Sequence, residues 1–258
     1  MRIARFSVAE QVAFGVVDGD PDAGTASVTA LKGHPFGPFE LSTARFPLGD
    51  VRLLAPVLPS KVVAIGKNYA DHAREMGSEP PAEPVVFLKP STSVVGPGDP
   101  IVLPRLSDEV HHEAELAVVI GRLSREVPVE RALETVLGYT CANDVTARDL
   151  QRTDGQWTRA KGFDSFCPLG PWVVTGLDAA DLAVECRVDG ELRQHGRTRD
   201  LLRGVAELIS YVTAVMTLLP GDVLLTGTPA GVGPLHAGAQ VAVTIEGIGT
   251  LTNRVVAA

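Results

Sequence analysis

Cysteine is scarce. The chain has three, Cys141, Cys167 and Cys186, an odd number with no Cys-x-x-Cys spacing. That argues against a disulfide framework, and it points to a reducing compartment, the cytoplasm. Each cysteine reads as a small buried hydrophobe. Positive charge is also short: 23 Lys and Arg stand against 31 Asp and Glu, for a formal charge of -8. An acidic chain repels nucleic acid and anionic membranes at long range, so neither is expected as a partner. No apolar run approaches the roughly 18 residues that span a bilayer, and the first residues, MRIARFSVAEQ, carry no apolar signal core. Lys and Ser/Thr do not follow the glycine-rich stretch Thr226–Gly233 (TGTPAGVG), so it is no Walker loop.

What is present is a globular composition, 45% hydrophobic, over 258 residues. That length supports a substantial core. The 26 glycines and 19 prolines punctuate short apolar runs, which predicts many strands joined by turns. The first stretch, Arg2 to Leu31, reads as strands broken at Asp18-Gly19 and Pro21-Asp22. Phe46 to Ser60, with three prolines, reads as a connector. The spacing predicts a small N-terminal β region over residues 1–58 and a larger domain over 59–258. Within the latter, strands are expected at Lys61–Ile65, Val85–Leu88, Ile101–Leu103, Glu113–Ile120, Trp172–Thr175, Val184–Val188, Val223–Thr226, Gln240–Ile245 and Thr250–Val255. Tyr139–Asp144 also reads as extended, and Asp189-Gly190 signals a hairpin. Helices are expected at Asn68–Met76, capped by Asn68, and from Pro128 through Leu137, stopped by Gly138. A helical turn is expected at Thr146–Arg152, and a long helix with apolar residues at helical spacing over Leu201–Leu219. The fold class is mainly β with few helices, α+β.

Several side chains carry potential chemistry. In His111-His112-Glu113-Ala114-Glu115, strand alternation puts Glu113 and Glu115 on one face and Leu116, Val118 and Ile120 on the other. Two neighbouring carboxylates on a strand running into the interior repel each other. A hard divalent cation such as Mg²⁺, Mn²⁺ or Ca²⁺ would resolve that repulsion; otherwise this is a solvated strand end. Asp144, closing the run GYTCAND, reads either as a third ligand or as a cap for the turn that follows. His72 and Glu75 are three apart on a helix, a spacing that lets the carboxylate orient an imidazole base, or that makes an ordinary surface pair. Lys161, and Arg148 with Gln151 on the 146–152 turn, read as anchors for a substrate carboxylate or as exposed polar residues. The loop 226–233 could hold an anion on its backbone N–H groups, or simply turn.

The joint order of these segments is more specific than any one. GKNYADHAREMG, FLKPSTSVVGPGDPI, HHEAELAVVIG, GYTCANDVTARDLQ, WTRAKGFDSFCPLGPW and PGDVLLTGTPAGVG, in that sequence, resemble the fumarylacetoacetate hydrolase family from about Lys61 onward. The resemblance implies a mixed β-sandwich roll, commonly a homodimer. It implies metal ligands at Glu113, Glu115 and Asp144, usually for Mg²⁺ or Mn²⁺, and a catalytic dyad at His72 and Glu75 on a short lid helix. It also implies Lys161 near the substrate oxygens, Arg148 and Gln151 facing the site, and Thr228 on the substrate carboxylate. The chain lacks the large N-terminal domain of the longer eukaryotic namesakes and shows three acidic ligands rather than four. It is therefore similar to the shorter branch: acylpyruvate hydrolases, oxaloacetate decarboxylases and isomerases of homoprotocatechuate breakdown. The expected activity is metal-dependent C–C cleavage of an acylpyruvate, or decarboxylation of oxaloacetate, through an enolate of pyruvate. The alternative is isomerisation of 2-hydroxyhepta-2,4-diene-1,7-dioate, and a remote third reading is a non-catalytic metabolite-binding homologue.

Overall fold

A computed structural model describes all residues, 1–258. It is mainly β, as the punctuation of the sequence predicts, with short helices at the strand ends. The largest sheet runs in the order Phe39–Pro47, Ser27–Gly33, Gln11–Asp18, Arg2–Val8, Cys167–Val174, Val136–Asn143, Ala114–Ile120, Val223–Leu225, Val62–Gly66, Val85–Lys89. Neighbours along this path are antiparallel except Val62–Gly66 and Val223–Leu225, which pair in parallel. The N-terminal strands join the sheet through Arg2–Val8, which pairs with Cys167–Val174.

A second sheet, of five strands, follows the order Glu191–Arg197, Ala183–Val188, Gln240–Ile245, Gly249–Ala257, Ile101–Leu103. Its strands alternate as half-buried strands should: Val184, Cys186 and Val188 point inward, and so do Val241, Val243 and Ile245. They meet Leu116, Val118 and Ile120 of the large sheet in the main core. The opposite face of the large sheet carries a smaller cluster that includes Ala117, Val119, Ala64, Ala142 and Leu225. Strand Ala114–Ile120 is thus buried on both faces. Glu115 lies on the side of Ala117 and Val119, away from the main core.

Helix boundaries are where local pattern misleads. The long helix spans Val205–Val215, not Leu201–Leu219. Its core face is Val205, Leu208, Ile209 and Val212, and Gly204 opens it with Glu207 bonded back to the Gly204 N–H. Leu201 instead bridges to Tyr69. The expected helix 128–137 shrinks to Val129–Ala132 and a 3₁₀ turn. Gly138 does not end it but lies in strand Val136–Asn143, where a Cβ would stand 2.3 Å from the Val174 carbonyl oxygen. The hairpin at Asp189-Gly190 forms as read, both residues at positive φ. All three cysteines are buried and free, and burial pushes the Cys141 and Cys167 thiols up to about 12. No helix is long and apolar enough to cross a membrane.

Candidate active site

The chain changes sheets at Glu113. Val110–His112 pairs within a small three-stranded sheet, and Ala114–Ile120 enters the large one. Ala114 pairs with Asn143, so Glu113 falls beside Asp144. Two bonds fix the juncture: Asn143 Oδ1 accepts the Glu113 N–H at 2.9 Å, and the Glu113 carbonyl accepts the Asp144 N–H at 2.8 Å. Pleating then carries Glu115 to the same side. The result is three carboxylates with ligand atoms within 4.8 Å of one another, each at most 4% exposed. The solvated-strand-end reading does not hold. Nor does Asp144 cap a helix: Ala147 precedes helix Arg148–Thr153, and no side chain caps it.

Cations answer these carboxylates. Lys161 Nζ donates to Glu113 Oε2 and to Asp144 Oδ2, both at 2.7 Å. Arg148 donates to Glu113 Oε1 at 2.6 Å and to Gln151 Oε1 at 2.6 Å, so Arg148 and Gln151 share one face of their helix. Lys89, fully buried, donates to Asp144 Oδ1 at 2.5 Å and to the Val145 carbonyl at 3.3 Å. Burial works against charge on Glu113, but Lys161 and Arg148 outweigh it and hold its carboxyl well below the usual range. Glu115 goes the other way. Burial, then the charges of Asp144 and Glu113, push it well above the usual range. Its hydrogen bond within the chain is the Gly227 N–H on Oε2, at 2.6 Å.

Hard oxygen donors, close together, buried and partly uncompensated, are what a divalent cation of the Mg²⁺ or Mn²⁺ type takes. The residues present fit such an ion, with Glu113, Glu115 and Asp144 as its holders.

Beside this floor lies a cavity of about 260 Å³. His72, Arg148, Gln151, Lys161 and Thr228 line it with the three carboxylates. Ile65, Met76 and Trp157 give it apolar wall. His72 comes from helix Ala70–Glu75, shorter than the expected 68–76. Its Nδ1 lies 3.0 Å from Glu75 Oε2, leaving Nε2 as the other ring nitrogen. Glu75 Oε1 accepts the Gly231 N–H at 2.9 Å. The glycine-rich loop therefore binds carboxylates at both ends, Glu115 through Gly227 and Glu75 through Gly231. Asn68 does not cap the helix. Its Oδ1 accepts the Arg203 N–H, and its Nδ2 donates to the carbonyls of Arg203 and Thr226.

Every sequence-expected site residue except Glu75 lines this one cavity, and Glu75 reaches it through His72. Sequence reading missed Lys89, Trp157 and Arg152. Lys89 had a signal: it is a lone charge ending the apolar run VVFLK.

Fold and site together define a mixed β-roll enzyme frame around a carboxylate triad. The chain belongs to the fumarylacetoacetate hydrolase family: residues 61–256 match the fumarylacetoacetate (FAA) hydrolase C-terminal family. Residues 1–56 match the Rv2993c-like, N-terminal family. Among solved structures it is similar to 2-hydroxyhepta-2,4-diene-1,7-dioate isomerase from Mycobacterium marinum, with 51% identity, 100% of this chain and 98% of that one covered, and a TM-score of 0.94. It is also similar to fumarylpyruvate hydrolase from Pseudomonas aeruginosa, solved in complex with Mn²⁺ and pyruvate, with 36% identity, coverage of 84% and 93%, and a TM-score of 0.74. A curated relative, the mitochondrial oxaloacetate tautomerase FAHD2B from Bos taurus, is 46% identical over 223 residues, 81% of this chain and 71% of that protein.

Proposed function

We propose that this chain is a divalent-metal-dependent enzyme that cleaves the C–C bond of an acylpyruvate, a 2,4-dioxo acid, releasing pyruvate. The observation that carries the reading is the meeting, in one cavity, of the triad Glu113, Glu115 and Asp144 with a histidine whose Nδ1 is held by a carboxylate. Glu113, Glu115 and Asp144 would hold an Mg²⁺ or Mn²⁺ ion, which would supply Lewis acidity that favours the enolate of a 2-oxo acid. Lys161 and Arg148 add fixed positive charge beside the substrate oxygens. Gln151 and Thr228 orient the substrate by hydrogen bonds. Glu75 keeps His72 in the tautomer with its proton on Nδ1, so that Nε2 takes a proton from water. That water oxygen bonds to the distal carbonyl carbon. The bond from that carbon to the methylene breaks, its electron pair leaves as the pyruvate enolate, and the methylene carbon takes the proton back. The products are a carboxylic acid and pyruvate. Oxaloacetate would give the same enolate by loss of CO₂, with no water needed.

A second reading is proton transfer without cleavage, either isomerisation of 2-hydroxyhepta-2,4-diene-1,7-dioate or oxaloacetate tautomerisation. The isomerase and tautomerase relatives favour it, and the same base and enolate-favouring site serve it. A panel of acylpyruvates, oxaloacetate and the hydroxydienoate, each with Mn²⁺ and with EDTA, separates the two. Pyruvate released from an acylpyruvate, and abolished by EDTA, supports cleavage. A wild type that shifts the ultraviolet spectrum of the dienoate or of enol-oxaloacetate while releasing no pyruvate rejects cleavage and supports proton transfer.

A further inference from the structure

Gln194 lies outside the cavity lining, on strand Glu191–Arg197 of the five-stranded sheet, and is fully buried. All four hydrogen-bonding positions of its amide are filled by the site's own framework. Oε1 accepts the Ala114 N–H at 3.0 Å and lies 3.0 Å from His112 Nδ1. Nε2 donates to Thr228 Oγ1 at 2.7 Å and to the Pro229 carbonyl at 2.8 Å. A backbone N–H only donates and a carbonyl only accepts, so the amide has one possible orientation. Thr228 Oγ1 in turn donates to the Ala114 carbonyl at 2.8 Å. Gln194, Ala114 and Thr228 thereby close a ring of hydrogen bonds around the peptide between Glu113 and Glu115.

The ring decides what Thr228 offers the cavity: a hydroxyl with only a lone pair left, and a backbone N–H that makes no hydrogen bond within the chain. Its hydroxyl proton is directed at Ala114 and one lone pair is taken by Gln194, so neither the rotor nor χ1 is free. The acidic pair needs this ring less. Ala114 is also held by its pairing with Asn143, and Glu113 by bonds to Asn143 and Asp144.

We propose that Gln194 is a positioning residue for substrate: it acts through Thr228, fixing the place of the Thr228 backbone N–H that meets the substrate carboxylate, and leaves the cation-holding triad to the sheet. This rests on the function proposed above. Removing Gln194 then weakens ground-state and transition-state binding alike, which raises KM and leaves kcat largely unchanged.

The test compares wild type, Gln194→Met, Gln194→Glu, Thr228→Val and the double variant Gln194→Met/Thr228→Val. KM and kcat are read on the acylpyruvate the wild type cleaves. Oxalate affinity of the Mn²⁺-loaded protein is read by calorimetry, and Mn²⁺ affinity by electron paramagnetic resonance without substrate. Gln194→Met should raise KM and the oxalate Kd about tenfold, the scale of one net hydrogen bond. In the Thr228→Val background it should add less than about twofold, because coupled groups are not additive. Mn²⁺ affinity should stay within about threefold, since the triad keeps its own supports. If Gln194→Met does not fold, Gln194→Glu carries the same expectation, because it keeps the acceptor for Ala114 and loses the donors to Thr228 and Pro229. Unchanged KM and oxalate affinity, fully multiplicative effects, or a parallel loss of Mn²⁺ affinity each overturn the proposal while the enzyme's function stands. A wild type that neither turns over a 2-oxo acid nor binds oxalate overturns the function and removes the premise with it.

Discussion

The floor and the roof of the cavity differ in how they are held. On the floor, Glu113, Glu115, Asp144, Lys161 and Arg148 are each at most 4% exposed. The three carboxylates come from or beside paired strands, Arg148 and Lys161 from short helices, and Glu113 and Asp144 are tied to one another through the backbone. The roof is a six-residue helix with no side-chain cap. Glu75 there keeps about a third of its side chain exposed, at 32%, and fastens to the loop by one bond, from Gly231. A triad that grips a small cation needs fixed donors, whereas a segment that covers a substrate must let it in and out. The sheet supplies the first requirement and a short, lightly tied helix the second.

Four changes would break or sharpen this contrast. Glu113→Ala strikes the floor hardest. It leaves Arg148 buried without its carboxylate and takes one of two from Lys161, a defect that costs about 3–5 kcal/mol. Denaturant unfolding should show that loss, and calorimetry should show Mn²⁺ affinity down by roughly a hundredfold. Retained Mn²⁺ affinity would move the cation away from the triad. His72→Ala should lower kcat by about 10²–10⁴ with Mn²⁺ affinity unchanged. If affinity fell in step, roof and floor would not be separate units. Asn68→Ala removes three bonds that anchor the roof's entry, at about 1–3 kcal/mol, and should speed amide exchange in 69–76 while leaving strand Ala114–Ile120 protected. The smallest effect concerns pH at the far end of strand Ala114–Ile120, beside Ile120. Asp222 accepts from Ser60, Lys61 and the Leu219 N–H. Burial opposes its charge, but the Leu219 N–H, the Lys61 ammonium and Ser60 outweigh it, so its pKa is lowered. Its contribution is complete above the unfolded Asp value of about 3.9 and is lost as pH falls through the lower folded value. Stability of Asp222→Asn should therefore fall less steeply below about pH 4 than that of wild type.

Much of the cavity, floor and roof, was legible because its signals are local. Strand alternation put Glu113 and Glu115 on one side, and helical spacing joined His72 to Glu75 and Arg148 to Gln151. Asp144 stayed ambiguous as a ligand or a cap until the pairing of Ala114 with Asn143 placed it. Lys89 and Gln194 were missed because their partners lie far along the chain: Asp144 is 55 residues from Lys89, and Ala114 is 80 from Gln194. Asn68 misled for the same reason. Its type and place say helix cap, but its partners at Arg203 and Thr226 won. The overlong helix 201–219 shows periodicity continuing past the point where Leu201 is taken up by a bridge to Tyr69. The β class needed only turns and alternation; the order of strands needed the long-range pairings.

Strand Ala114–Ile120, buried on both faces, has one edge partner soon after it, Val136–Asn143, and the other much later, Val223–Leu225. During synthesis its second edge therefore waits for about a hundred further residues, on the order of 5–20 s at ribosomal speed. Through that interval a strand buried on both faces in the finished fold is an open template for other chains. A nascent chain stalled before Val223 should aggregate through this edge, and one stalled beyond Thr226 should not. The strand that carries Glu115 is thus also the one left longest with an open edge during synthesis.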